Sequence, residues 1–124
     1  MRQAVAGENR KIPPTLCVAI FSFNRGVWLF NAVSSLALLQ ASLPQAAVQV
    51  YDDGSDDAAT LAVLASLPVK VISTRQREEM ARHGGLYAHM QTAFETAAEG
   101  SLLLCMQDDT QVVRPVDALD LDVL

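Results

Sequence analysis

A chain of 124 residues with 51% hydrophobic and 19% charged residues is long enough for one globular domain and too apolar for a disordered protein. Its formal net charge of −5 disfavours a nucleic-acid backbone as partner, because phosphate neutralisation requires clustered Lys and Arg side chains. The apolar runs are shorter than a membrane-spanning helix, and the polar start differs from a signal peptide. We therefore expect no transmembrane segment, no nucleic-acid partner and a cytoplasmic location.

Residues 1–14 are predicted to form an N-terminal tail, and residues 15–124 a single domain. Pro13 and Pro14 cannot continue a helix, and they favour an extended start to the segment that follows. The sequence contains no internal repeat and no low-complexity segment. One folding unit is therefore expected after the tail.

Apolar runs of strand length alternate with helical patterns along the predicted domain. The predicted strands cover residues 16–21, 48–51, 69–73 and 101–106, and the predicted helices cover residues 27–40, 57–66 and 86–98. Runs that are apolar on both faces are typical of strands buried in a parallel sheet. The alternation predicts an α/β fold, a Rossmann-like three-layer α/β/α architecture with a mostly parallel sheet and right-handed crossovers.

Cap signals mark two of the predicted helix ends. Ser55 and Asp56 are candidate N-caps for the second helix, because their side-chain oxygens can accept hydrogen bonds from the first turn. Gly100 follows the third helix, where a residue in the left-handed conformation commonly ends a helix.

Several apolar side chains are predicted to lie in the core. Trp28, Phe30 and Phe94 occupy apolar positions of the helical patterns. Cys17 and Cys105 lie in separate apolar runs, without the spacing of a CxxC motif or a metal site. We expect these two cysteines to be buried, reduced thiols that pack as small hydrophobic groups.

Polar side chains follow three of the predicted strands, at the point where each strand ends. They lie at residues 22–25, 52–57 and 107–110. Because the carboxyl ends of parallel strands meet at one edge of a sheet, these segments are predicted to form one site. Paired carboxylates at such an edge can hold a hard divalent cation or accept hydrogen bonds from a base or ribose.

Four other classes of nucleotide- or phosphate-binding protein are disfavoured by the same segments. A Rossmann dehydrogenase requires a GxGxxG loop after its first strand, and a P-loop protein requires GxxxxGK[ST]; the sequence contains neither motif. The glycine-rich loop with which a sugar nucleotidyltransferase begins is also absent from the sequence. A receiver domain carries aspartates after its first and third strands, whereas here they follow the second and fourth.

Four segments carry a resemblance to a known family. They are residues 18–25 (VAIFSFNR), 32–36 (AVSSL), 48–57 (VQVYDDGSDD) and 98–109, which ends in CMQDD. Together they resemble the N-terminal, nucleotide-sugar-binding half of family-2 glycosyltransferases, which have the glycosyltransferase A-type fold. The resemblance covers roughly residues 16–115. Its most specific element is Asp-Asp-Gly-Ser with the strand before it, and a second acidic pair follows at the expected distance.

The resemblance implies a pocket for the nucleoside of a sugar donor. Asp53 would accept a hydrogen bond from the base, with Asp52 beside it. Arg82 would contact the donor near the base or the diphosphate, with Arg75 and Arg77 as alternatives for that role. The walls around the base would be formed by Phe21, Ser22, Phe23 and Asn24.

The resemblance also implies a metal site at the second acidic pair. Asp109 would bind a divalent cation, Mn²⁺ or Mg²⁺, that bridges the donor diphosphate, and Asp108 would face the ribose or sugar. Such a cation acts as a Lewis acid that offsets the charge of the leaving group. Gln107 stands where many family members carry a third acid. A histidine metal site is disfavoured, because His83 and His89 lie six residues apart, on different helix faces.

In the family, the acceptor site and the catalytic base lie in a second half, and an inverting transfer needs that base to deprotonate the acceptor hydroxyl. No segment here matches it, so we assign no catalytic residue and expect the isolated chain to be inactive. The predicted function is the nucleotide-diphospho-sugar-binding portion of a metal-dependent glycosyltransferase with an unknown acceptor. The alternative is a non-catalytic glycosyltransferase-like interaction module that self-associates as a homodimer through an uncovered sheet edge.

Overall fold

The structure is a computed structural model that describes residues 16–43, 45–73 and 85–115. Four strands and four helices follow each other along these residues. They are β1 (Leu16–Ser22), α1 (Gly26–Ser35), α2 (Ala37–Ser42), β2 (Ala47–Asp52), α3 (Ala58–Ser66), β3 (Lys70–Ser73), α4 (Gly85–Thr96) and β4 (Leu102–Gln107). The predicted tail and Arg82 lie outside the described residues.

The four strands form one parallel sheet in the order β3-β2-β1-β4. The central strand β1 pairs with β2 and with β4, and all but one of its seven residues are buried. A strand buried on both faces needs apolar side chains at successive positions, which is what the run from Leu16 to Phe21 supplies. The predicted α/β class and parallel sheet are confirmed.

Helices cover both faces of the sheet. Val18 and Ile20 of β1 belong to one hydrophobic cluster, which includes Leu29 of α1. Ala19 and Phe21 of β1 belong to a second cluster on the other face, beneath α4. Successive residues of a strand point to opposite faces, so β1 contributes to two cores at once. The layers are therefore helix, sheet and helix, as predicted.

Two helix ends differ from the prediction, and one agrees with it. The first predicted helix is divided at Leu36, which separates α1 from α2. Asp57, rather than Ser55 or Asp56, caps α3, because its Oδ2 accepts a hydrogen bond from the Thr60 amide at 2.9 Å. Gly100 has a φ of +82°, the left-handed conformation expected after α4.

The prediction that the helical aromatic residues are core is wrong. Trp28 and Phe30 are each 52% exposed, and Phe94 is 72% exposed. The helices pack small residues and few large ones against their neighbours: α1 buries Gly26, Leu29 and Ala32, and α4 buries Gly85, His89 and Ala93.

The prediction of buried thiols is also wrong for Cys105, which is exposed, whereas Cys17 is partly buried. Cys105 lies in the middle of β4, an outer strand of the described sheet, and the residue before it is exposed as well. None of the helices in the described ranges combines the length and hydropathy needed to cross a bilayer.

Candidate functional site

A pocket of about 290 Å³ opens at the carboxyl ends of β1, β2 and β4. Its lining comes from these three strand ends and from the first turns of α4. The three polar segments that were predicted to converge do meet here, because β1 lies between β2 and β4 in the sheet. Open α/β sheets bind ligands in this kind of crevice.

Aromatic rings line the inner part of the pocket. Phe21 of β1 and Tyr51 of β2 stack, with ring centroids 5.6 Å apart and planes inclined by 27°. His89 of α4 lies beside Tyr51, with centroids 5.5 Å apart. The His89 side chain is 1% exposed, and its Nε2 donates to the Asp52 carbonyl oxygen at 3.2 Å. Phe21 and Tyr51 are themselves buried, so the rings form the apolar floor of the pocket, beneath polar groups at its rim.

Asp52 is fully buried and is used to hold the loop after β2 in place. Its Oδ1 accepts hydrogen bonds from the hydroxyls of Ser22 (2.9 Å) and Ser55 (2.5 Å). Its Oδ2 accepts a hydrogen bond from the Ser55 amide at 2.7 Å. Three donors surround the carboxylate, as a buried charged group requires. These contacts join the end of β1 to the loop that follows β2.

Asp53 follows directly and lines the pocket. Burial raises the pKa of its carboxyl, His89 opposes that rise by its charge, and Asp52 adds to it. Gly85 begins α4 next to this side chain, and a Cβ added at Gly85 would overlap the Asp53 carboxylate. The absence of a side chain at residue 85 is therefore what allows Asp53 its position.

Asn24 shapes the loop after β1 and is not among the residues that line the pocket. Its φ of +52° is in the left-handed region, which Asn tolerates better than most residues. Its side-chain oxygen accepts hydrogen bonds from the amides of Asp56 (2.9 Å) and Asp57 (3.1 Å), and its Nδ2 donates to Asp56 Oδ1. The Asn24 amide donates to Ser55 Oγ at 2.8 Å. Asn24 thus binds the loop after β2.

Asp108, which directly follows β4, lines the pocket. The residue is 4% exposed, and its Oδ2 accepts a hydrogen bond from the Phe23 amide at 3.2 Å. Burial raises the pKa of the Asp108 carboxyl, Asp109 adds to the rise, and the Phe23 amide and Arg25 oppose it. The Arg25 Nη1 lies 3.6 Å from Asp108 Oδ1 and 3.4 Å from Asp109 Oδ2.

The second acidic pair can supply some, but not all, of the ligands of a divalent cation. No cluster of three or more His, Cys, Asp and Glu side chains that could hold a metal ion occurs within the described ranges. Mg²⁺ is commonly bound by one or two protein carboxylates together with substrate phosphates and water, so it does not require such a cluster. Asp108 and Asp109 supply two carboxylates within reach of a single nitrogen atom of Arg25. Their oxygen donors suit Mg²⁺ and Mn²⁺.

Five of the predicted site residues lie around the pocket, and others do not. The lining includes Phe21, Ser22, Phe23, Asp53 and Asp108, together with Gln107. Asp52 lies behind the lining, Asn24 lies in the adjoining loop, and Asp109 is exposed beside Asp108.

Sequence reasoning did not assign a pocket role to several residues that line it. They are Arg25, Tyr51, Leu86 and His89. Arg25 and Tyr51 could have been found, because Arg25 lies in the polar segment 22–25 and Tyr51 is the last residue of the predicted strand 48–51. Leu86 and His89 could not, because the packing of α4 over β2 is set by residues far apart in the chain.

A solved structure has the same fold: the match to the crystal structure of S. aureus TarS has a TM-score of 0.63 and 23% sequence identity. The match covers 82% of this chain and 18% of that one. TarS is a family-2 glycosyltransferase, so the expected resemblance to the N-terminal portion of a glycosyltransferase A-type fold is confirmed at the level of fold. No protein-family model and no curated protein matches this sequence.

Proposed function

We propose that this chain is the donor-binding part of a glycosyltransferase and that its ligand is a nucleoside diphosphate sugar held with a divalent cation. The observation that carries the proposal is the convergence of Asp53 and Asp108 on one pocket with an aromatic lining, in a glycosyltransferase A-type fold. A nucleotide sugar combines a flat base, a ribose and a diphosphate. The pocket combines flat apolar surface, a hydrogen-bond acceptor and an acidic pair.

The base end of the donor is proposed to lie near β2. Asp53 accepts a hydrogen bond from an N–H group of the base, and the Phe21 and Tyr51 rings provide apolar surface beneath it. The raised pKa of Asp53 reflects chiefly the partial loss of hydration of its carboxyl by burial. A ligand N–H would replace the lost hydration, which is a source of specificity for the base.

The diphosphate end is proposed to lie near β4. Asp108 and Asp109 hold the divalent cation, which offsets the charge of the diphosphate leaving group as a Lewis acid. The charges of the described lining favour a cation. The described lining carries two carboxylates, Asp53 and Asp108, and a single guanidinium, that of Arg25. A diphosphate entering a pocket with this balance is repelled unless further positive charge comes with it.

Calorimetric titration with UDP, GDP, CDP and ADP tests the proposal, in the presence and absence of Mn²⁺ or Mg²⁺. We expect one base to bind and the binding to depend on the cation. Asp53→Asn should weaken binding and reduce the preference for that base, whereas Asp109→Asn should reduce the cation dependence. Glu99→Gln is a matched control, because Glu99 is exposed in the turn before β4, at the opposite edge of the sheet. Absence of binding for all four nucleotides with cation would refute the proposal.

The alternative function is a non-catalytic module that self-associates. One face of α4 favours it: Tyr87, Met90 and Phe94 are spaced by three and four residues and are 74%, 36% and 72% exposed. A contiguous exposed apolar patch of this kind is more typical of a protein–protein interface than of a surface that faces only solvent. Sedimentation equilibrium distinguishes the two functions. A dimer whose dissociation constant is unchanged by nucleotide and is weakened by Phe94→Ser would support the alternative.

A further inference from the structure

Arg25 stands between the two carboxylates of the second acidic pair. A single nitrogen, Nη1, is 3.6 Å from Asp108 Oδ1 and 3.4 Å from Asp109 Oδ2. The contact with Asp109 also has hydrogen-bond geometry. One positively charged nitrogen shared by two carboxylates of adjacent residues is the electrostatic arrangement that a bound cation would have.

We propose that Arg25 is a displaceable counter-ion of Asp108 and Asp109 that competes with the divalent cation and thereby sets the cation affinity of the site. The guanidinium and the cation are drawn to the same two oxygens and repel each other, so binding of the cation requires the Arg25 side chain to move aside. This inference deepens the proposed function and rests on it for the assignment of a cation to this pair.

The exposure of the side chains shows why the guanidinium is displaceable. The Arg25 side chain is 55% exposed and that of Asp109 is 52% exposed, while that of Asp108 is 6% exposed. Ion pairs with such exposed members are weak, because water competes with each partner. A divalent cation with phosphate ligands of its own offers the carboxylates a stronger partner than this arginine does.

The backbone of Arg25 is fixed although its side chain is not. Arg25 precedes α1, and its carbonyl oxygen accepts a hydrogen bond from the Leu29 amide at 2.8 Å. The next amide, that of Gly26, donates to Thr60 Oγ1 at 3.0 Å. A Cβ at Gly26 would lie 2.9 Å from the Thr60 Cα, so the two helix starts are in close contact. The Arg25 side chain can therefore rotate about its χ angles and move the guanidinium, while the backbone of Arg25 stays at the pocket rim.

This arrangement couples the cation to the nucleotide. Arg25 lines the same pocket as Asp53 and Asp108, so a bound diphosphate lies within the range of its side chain. Guanidinium groups form strong paired hydrogen bonds with phosphate oxygens. A diphosphate that draws Arg25 away leaves both carboxylates to the cation. Nucleotide and cation then bind cooperatively, and part of that cooperativity belongs to Arg25.

Titration of the full chain with Mn²⁺ alone, followed by electron paramagnetic resonance of free Mn²⁺, tests the proposal without any nucleotide. Arg25→Gln should bind Mn²⁺ about two- to fivefold more tightly than the wild type, because a weak competing ion pair is removed. Arg25→Lys should lie between the two, since an ammonium is also a cation but lacks the planar fork. Asp109→Asn, added to Arg25→Gln, should abolish the gain.

Lys70→Gln is the matched control for net charge. Lys70 begins β3, at the opposite end of the strands from the pocket, and its removal changes the charge of the protein by the same amount. An equal gain in Lys70→Gln would overturn the proposal, because the effect would then be one of overall charge. So would equal Mn²⁺ affinities for wild type and Arg25→Gln, or no Mn²⁺ binding by either protein in the millimolar range. Thermal unfolding verifies that each variant is folded.

The outcome is separable from that of the proposed function. A gain in Mn²⁺ affinity in Arg25→Gln supports the competition even if no nucleoside diphosphate binds, in which case the donor-binding proposal alone fails. Nucleotide binding with equal Mn²⁺ affinities leaves the donor-binding proposal intact and overturns the role of Arg25. Mn²⁺ titrations with and without bound nucleotide measure the coupling between the two ligands. The nucleotide should raise the Mn²⁺ affinity less in Arg25→Gln than in the wild type.

Discussion

The ends of β2 and β4 carry the same sequence feature, two adjacent aspartates, and the structure uses the two pairs differently. In each pair the first carboxylate is buried. Asp52 faces three hydrogen-bond donors and serves the loop. Asp108 accepts a hydrogen bond from the Phe23 amide, is paired with the exposed Arg25 guanidinium, and lines the pocket. The second members differ as well, because Asp53 lines the pocket and Asp109 is open to solvent.

The difference follows from the groups that surround the first carboxylate of each pair. The donors to Asp52 come from Ser22, at the end of β1, and from Ser55, within the loop after β2 itself. Asp108 follows β4, an outer strand of the described sheet, and receives its described hydrogen bond from the Phe23 amide in the loop after β1. A buried carboxylate with many protein donors is part of the scaffold, whereas one with few remains available to a ligand.

The largest effect is expected from Asp52→Ala, which should lower the free energy of unfolding by about 3 kcal/mol or more, because buried donors lose their acceptor. Those donors include the hydroxyls of Ser22 and Ser55. Asp108→Ala should cost only about 1 kcal/mol, since one amide loses a partner. Urea denaturation measures the loss of stability in both variants, provided that their m-values equal that of the wild type. Similar losses for the two variants would remove the distinction between the strand ends.

Asp108→Asn should affect ligand binding more than stability, in contrast to Asp52→Ala. We expect the affinity for the nucleoside diphosphate with Mn²⁺ to fall at least about tenfold, because a charge-assisted contact is worth more than about 1.4 kcal/mol. Calorimetry measures this loss, and thermal unfolding of the same sample measures stability. Glu99→Gln should change neither quantity. Unchanged affinity in Asp108→Asn would assign Asp108 to the scaffold, like Asp52.

Gly85→Ala tests the position of Asp53 without changing its chemistry. The added methyl group displaces the Asp53 carboxylate, so the nucleotide affinity should fall about as much as in Asp53→Ala. Gly100→Ala is the control, because its Cβ would meet no atom but its φ of +82° favours glycine. It should cost about 1 kcal/mol of stability and leave binding unchanged. Normal nucleotide affinity in Gly85→Ala would contradict the role of Asp53.

The smallest effect is expected from the ionisation of Asp53. Burial raises its pKa above the ordinary 3.8, so the folded protein binds more protons than the unfolded one between the two values. Stability therefore falls as pH rises through that window, and the ionised carboxylate is slightly destabilising at neutral pH. Asp53→Asn should be slightly more stable than the wild type at pH 7, and this gain should disappear below about pH 3.8.

Nucleotide binding should have the opposite pH dependence, because the proposed contact needs an ionised acceptor. In the wild type it should weaken as pH falls through the raised pKa of Asp53, and the part of this dependence that belongs to Asp53 should be lost in Asp53→Asn. Urea denaturation and calorimetry across this pH range measure the two effects. A gain in stability for Asp53→Asn that is the same at all pH values would show that ionisation is not its cause.

The strands and their convergence could be predicted from the sequence because both depend on local patterns. Runs such as 16–21 are apolar at successive positions, and alternation with helices implies a parallel sheet. Orientation of the helices could not be predicted in the same way. Residues 27–30 are all apolar, so periodicity does not reveal that Leu29 faces the core while Trp28 and Phe30 face solvent.

The roles of individual acids also depend on contacts that the sequence does not show. Asp52 receives a hydrogen bond from Ser22, 30 residues earlier, and Asp108 receives one from Phe23, 85 residues earlier. The contact of Arg25 with the second pair requires β4 to lie beside β1, and the strand order is not encoded in the order of the motifs. The sequence predicts which groups meet at the edge, and the packing determines which of them face a ligand.

The burial of Asp52 should also govern the hydrogen exchange of the loop that it holds. Ser55 lies outside regular secondary structure, yet its amide donates at 2.7 Å to a carboxylate that solvent does not reach. Exchange of this proton requires the contacts among Ser22, Asp52 and Ser55 to open. In deuterium oxide, the Ser55 amide should persist as long as amides of β1, and longer than the Asp56 amide, whose hydrogen bond to Asn24 Oδ1 is exposed to solvent.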